Sequence, residues 1–110
     1  MVRALVVLTN MPDASSARAL AHQLVEQKLA ACVNIQAGVE SVYRWQGSIE
    51  EASEVSLLIK TTTGRYAELE AAIKAAHPYQ VPEIIALPIA TGWPQYLDWV
   101  EKETKKDEHV

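Results

Sequence analysis

The sequence has no phenylalanine, one cysteine and four glycines in 110 residues, and its acidic side chains outnumber the basic ones by 14 to 10. Each shortage closes off a class. A lone cysteine, Cys32, cannot close an intrachain disulfide, which fits a reducing compartment and leads us to expect a cytoplasmic setting. The glycines stand apart at 38, 47, 64 and 92, so there is no glycine-rich phosphate loop. A formal net charge of -4 and a pI near 5.3 argue against a sequence-independent grip on nucleic acid, which needs clustered Lys and Arg. The longest apolar run, Ala4 to Leu8, falls far short of the roughly 20 residues that span a bilayer. No charged n-region followed by an apolar h-region opens the chain. Neither a nucleic-acid nor a membrane partner is expected.

What is present suits one compact domain over residues 1–110: 49% of the side chains are hydrophobic, enough for a core. Val2 to Thr9 is nearly continuously apolar and reads as a strand buried on both faces. A helix follows, with Asp13 as N-cap and Ala17, Leu20, Ala21, Leu24, Val25 and Leu29 at three- and four-residue spacings. From Cys32 to Trp45 polar and apolar residues alternate, with Val33, Ile35, Ala37 and Val39 on one face. The parity then slips, and Gly38 and Glu40 mark the expected bulge. Gln46 and Gly47 separate this run from Ile49 to Ile59, which predicts a long hairpin.

Gly64 to His77 reads as a second helix, supported by a Glu70 and Lys74 pair and stopped by Pro78. Glu83 to Ala90 reads as a strand that Pro88 confines to an edge or bulge. A short helix begins near Trp93, its stripe formed by Trp93, Tyr96, Leu97 and Val100, and residues 105–110 form a frayed tail. The order βαββαβ plus a terminal helix predicts an α+β, ferredoxin-like fold with the first and third strands central. Two main helices cover one face of such a sheet. Apolar residues on both faces of the first and last strands therefore predict a homo-oligomer.

Few residues carry candidate chemistry. His77, ending a helix, can bond a free carbonyl there or act as a ligand, but it has no second His at i+3 or i+4 and no Cys pair. Subunits gathered by symmetry could complete a Cu(II) or Zn(II) site around it. Cys32 reads as a small buried thiol or a reactive one. Glu50, Glu51 and Glu54 read as a solvated strand edge, because the like-facing Glu50 and Glu54 lie about 13 Å apart. Asp98 with Lys102 and Glu101 with Lys105 read as helix-surface pairs. Tyr43, Trp45, Tyr79, Trp93 and Trp99 are core or interface anchors, or ligand platforms. Tyr43 and Trp45 share a strand face and, with Lys60 on the partner strand, could line a cleft between subunits. No nucleophile, base and orienting group stand at a suggestive spacing, so no enzyme activity is expected.

Five motifs then come together in order: LAACVNI (Leu29 to Ile35), SVYRWQGSIEE (Ser41 to Glu51), LLIKTT (Leu57 to Thr62), HPYQVPEII (His77 to Ile85) and YLDW (Tyr96 to Trp99). Across essentially the whole chain they resemble the CutA family of divalent-cation tolerance proteins. The resemblance implies a ferredoxin-like subunit in a PII-like homotrimer, with the long hairpin and edge strands joining subunits. It also implies a role in tolerance to copper and other divalent metals. Copper binding in that family is linked to a cysteine near the end of the first strand and to a His-His pair; here the positions hold Thr9, Ala76 and His77. The expected function is a trimeric, cytoplasmic, non-enzymatic protein that binds divalent metal ions or a small ligand at intersubunit clefts. Candidate residues are His77 for metal, and Trp45, Lys60, Tyr79 and Glu83 for the cleft. The alternative is a PII-like signalling or protein-interaction module with no physiological metal.

Overall fold

The computed structural model describes residues 2–106. Strand β1 (Ala4–Met11) alternates strictly, with Leu5, Val7, Thr9 and Met11 buried and the residues between them half-buried. That is the signature of a strand packed on one face and partly covered on the other. Helix α1 (Ala14–Glu26) starts at Asp13, whose Oδ1 accepts from the Ser16 N–H at 2.7 Å. The same bond holds the Asp13 carboxyl below its ordinary pKa. The helix ends in a Schellman motif: Lys28 has φ 58, its N–H bonds Val25 O at 3.1 Å, and the Leu29 N–H bonds Leu24 O at 2.9 Å.

Strands β2 (Cys32–Trp45) and β3 (Ser48–Thr62) form the long hairpin. Gln46 and Gly47 have φ 49 and 83, the paired positive values of a type I′ turn. Helix α2 (Tyr66–Ala76) stops before His77, which is extended (φ -83, ψ 131) as its following proline requires. Strand β4 (Ile85–Pro88) is half the length expected, and helix α3 (Pro94–Glu103) closes the described chain. Trp93 is its N-cap and is largely exposed, so the buried stripe reduces to Val100 with Leu97 half-buried. The expected frayed tail lies mainly outside the described residues; Lys106, within them, reaches Glu68 at 3.6 Å.

The sheet order is β2-β3-β1-β4 and every pairing is antiparallel, which places the first and third strands centrally as the apolar patterns require. Helices α1 and α2 cover one face, where Val7, Met11, Leu20, Leu24, Leu57, Ile59, Leu69 and Ile73 form the core. Each such side chain contributes about 1.5–3 kcal/mol on burial. Helix α3 packs on β3 and β1 over part of the other face. There Tyr96 lies beside Cys32, and burial first, then the thiol, raises its pKa. The rest of that face stays open, with Ile85 and Leu87 47% and 51% exposed.

Arg65, for which the sequence suggested no role, is buried and ties the two main helices together. Its Nε donates to Lys28 O at 3.3 Å, its Nη2 to Gln27 O at 3.4 Å, and its Nη1 to Glu68 Oε1 at 3.1 Å. The orphan carbonyls at the end of α1 are thus capped from the start of α2. The expected surface pairs Glu70–Lys74, Asp98–Lys102 and Glu101–Lys105 do not close within 4 Å among the described residues. Glu70 instead accepts from the Tyr66 hydroxyl at 2.9 Å.

The bulge falls at Ala37–Gly38, where two residues of β2 oppose Val55 alone. Gly38 has φ 77, a backbone that favours glycine, whereas Glu40 pairs regularly with Ser53. The slip therefore comes before Val39, not after it. Val33 and Ile35 oppose Ile59 and Leu57 on the helix-covered face, while Val39 opposes Glu54 on the other. Ser41, Tyr43 and Trp45 follow Val39 onto that open face.

Candidate functional site

Beyond Leu8 the outer edge of β1 has no strand partner, because β4 pairs only with Leu5 to Leu8. The segment leaving α2 occupies this gap. The His77 Nδ1 accepts from the Tyr79 N–H at 3.2 Å, so the proton sits on Nε2, which donates to the Asn10 carbonyl at 2.6 Å. His77 therefore does bond a free carbonyl, but one of β1 and not of its own helix. The Asn10 side chain accepts from the Ser56 hydroxyl at 2.6 Å. The imidazole and Tyr79 ring centroids are 4.7 Å apart.

So held, Tyr79 reaches across the end of the sheet, and its hydroxyl donates to Glu54 Oε2 at 2.9 Å. Burial, and then this bond to a carboxylate, push its pKa up to about 12. Tyr79 keeps 38% of its surface exposed. Between this segment and the outer arm of β2 lies a cleft of about 810 Å³, in the size range of small-molecule sites. Tyr43, Trp45, Glu54, Tyr79, Pro82 and Glu83 contribute to its walls.

Trp45, Tyr79 and Glu83, expected at a cleft between subunits, all line this cleft within the one chain. Lys60 does not join them. It lies six positions along β3 from Glu54, about 20 Å at strand spacing, and its ammonium donates to the Asn34 side chain. His77 stands behind Tyr79 outside the cleft, with both ring nitrogens engaged, so ligating a cation would require breaking one of these bonds. Among the described residues no three His, Cys, Asp or Glu side chains converge as a metal cluster. Thr9 is fully buried on the core face, with its hydroxyl unpartnered.

Glu54 is the residue that sequence reasoning misplaced. Expected on a solvated edge with Glu50 and Glu51, it is only 8% exposed. Its burial follows from the wrapping of residues 77–83 around the sheet end, a contact 25 positions away along the chain. The one local signal was the parity of β3, which places Glu54 opposite Val39, on the side of Tyr43 and Trp45.

Residues 5–103 match the family model described as CutA1 divalent ion tolerance protein. The chain belongs to this family. Among solved CutA structures, that of the divalent cation tolerance protein (CutA1) from Thermus thermophilus superposes with a TM-score of 0.91 at 52% identity, covering 93% of this chain and 99% of that one. A CutA structure from Archaeoglobus fulgidus, described as periplasmic, has a TM-score of 0.90 at 36% identity, covering 93% and 99%. An Arabidopsis thaliana relative, named Protein CutA, chloroplastic, is 43% identical over 94% of this chain and 57% of its own length. CutA membership thus carries the α+β fold but no single compartment. No helix among the described residues is long and apolar enough to cross a membrane.

Proposed function

We propose that this CutA chain acts in divalent-cation tolerance as a non-enzymatic homotrimer, in the cytoplasm, and that the cleft between the outer β2 arm and residues 79–83 is its ligand site. The cleft carries this reading: it gathers three aromatic rings and two carboxylates on a sheet face that the helices leave open. The names of the family and its relatives supply the physiological context. The open face supports the trimer. Ile85, Leu87, Trp93 and Trp99 are each more than 40% exposed, a larger apolar surface than monomers ordinarily leave to water. Subunits meeting there would close the cleft and bring further donors to it.

His77 enters as the residue that sets Tyr79. Isothermal titration of the reduced protein with Cu(II) and Zn(II), repeated for Trp45→Ala and His77→Ala, tests the assignment. Saturable binding that Trp45→Ala weakens supports the cleft; binding lost only in His77→Ala places the metal at the histidine. Sedimentation showing a monomer at micromolar concentration sinks the trimer. A second reading, a PII-like module with a protein partner, draws on the hairpin tip, where Val42 and Ile49 are both 68% exposed. It gains if neither metal binds and Ile49→Asp leaves the assembly intact.

A further inference from the structure

Glu54 combines three features that seldom occur together. It is buried, it lines the cleft, and its hydrogen bonding among the described residues consists of the Tyr79 hydroxyl on Oε2. No Lys, Arg or His lies within ion-pair distance of it among the described residues. Arg44 contributes to the cleft wall without reaching it. Among the described residues Oε1 has no protein partner, yet it is not sealed from accessible space. A carboxylate taken out of water without a countercharge is costly, and buried acids are ordinarily paired.

The surroundings specify what could pair with it. Tyr43, Trp45 and Tyr79 each keep between 37% and 45% of their surface exposed at the cleft, and the faces of aromatic rings attract cations. A bare divalent ion would need several oxygen or nitrogen donors, which Glu54 alone does not offer. Val81 and Pro82 add apolar wall. Building on the cleft as the ligand site, we infer that it receives a small organic cation. An ammonium or guanidinium head sits on Glu54 Oε1 among the aromatic faces, and a short apolar stem lies along Val81 and Pro82. A basic side chain from a second copy has the same head-group chemistry, so the test must separate the two.

The probes are butylguanidinium and its uncharged counterpart butylurea, titrated calorimetrically into the intact assembled chain. Saturable binding of butylguanidinium, preferred over butylurea by at least about tenfold, is expected. Glu54→Gln, which keeps an acceptor for Tyr79, should bring that preference close to one. Should this variant not fold, Tyr43→Ala carries the test, since its ring is exposed: butylguanidinium affinity falls while that of butylurea holds. Equal affinities, or a preference unchanged in these variants, overturn the inference. If neither probe binds and Glu54→Gln sediments as smaller species, the countercharge is a neighbouring subunit's side chain and the inference also falls. Equal binding of both probes that Trp45→Ala weakens would leave the cleft reading standing without the cation. Binding of probes and metals alike that is indifferent to Trp45→Ala would remove the cleft as well.

Discussion

From Val55 to Thr62, β3 buries Val55, Leu57, Ile59 and Thr61 beneath the helices, whereas from Ser48 to Ser53 the same strand is exposed at every position except Ala52. Both halves are paired to β2, but only the inner half, Val55 to Thr62, is also paired to β1 along its other edge. What differs is the source of order. The inner half is held by apolar burial within the subunit, the outer half by backbone hydrogen bonds, a tight turn and whatever packs against it. Glu54 marks the boundary, buried not by a helix but by the Tyr79 segment. The hairpin ladder to β2 makes β3 one strand, whereas the ladder to β1 and the burial under the helices divide it in two.

The largest expected contrast comes from matched truncations. Leu57→Ala should destabilise by about 3 kcal/mol in urea melts, because its side chain is fully buried. Ile49→Ala, at 68% exposure, should cost less than about 0.5 kcal/mol per subunit. A larger loss at Ile49, accompanied by dissociation on sedimentation, would show that the outer half is buried between subunits. Next, His77→Ala removes the bonds to Asn10 and Tyr79 and should cost about 2 kcal/mol, measured by the same melts. It should also loosen Glu54, visible as faster amide exchange around it.

The boundary has a pH signature. The folded Tyr79 holds its proton to about 12, above the ordinary tyrosine value of 10.0. The unfolded chain therefore ionises first, and the contribution is intact below pH 10 and lost as pH rises toward 12. Melts across that window should show a decline that Tyr79→Phe reduces, with Tyr66 and Tyr96, also raised, supplying the remainder. Smallest, Gln46→Asn should stabilise the outer half by a few tenths of a kcal/mol, since asparagine tolerates the positive φ of a type I′ turn better than glutamine. Unchanged thermal unfolding on that substitution would mean that the tip does not limit the hairpin.

The architecture was legible because its determinants are periodic and local: Leu5 and Val7, Leu20 and Leu24, Leu57 and Ile59 announce their faces by spacing alone. Asp13 and Pro78 announced their helix ends through capping and φ restriction. Strand β4 was read too long because Glu83, Ile84, Ile89 and Ala90 have strand-like character but pair, if at all, only through the Ile89 N–H to Ala4 O. The site was legible only in part. Trp45, Tyr79 and Glu83 stood out as aromatics or within a family motif, yet Glu54 and Arg65 take their roles from contacts 25 and 37 to 38 positions away. Charge at such positions looks like solvation until the partner segment is placed. Lys60 lies away from this cleft because sharing a sheet face says nothing of distance along it.

Gly38 gives the one spare residue of β2 a meaning that its own side chain does not have. Because Ala37 and Gly38 together oppose Val55, every position beyond them lies on the face opposite to the one its numbering would give. Tyr43 and Trp45 share the odd parity of Val33 and Ile35, yet they stand with Glu54 on the cleft side of the sheet instead of beneath the helices. The same sequence paired without the bulge would turn both rings toward the helix-covered face, so the aromatic wall depends on one unpaired backbone position more than on any contact its rings make.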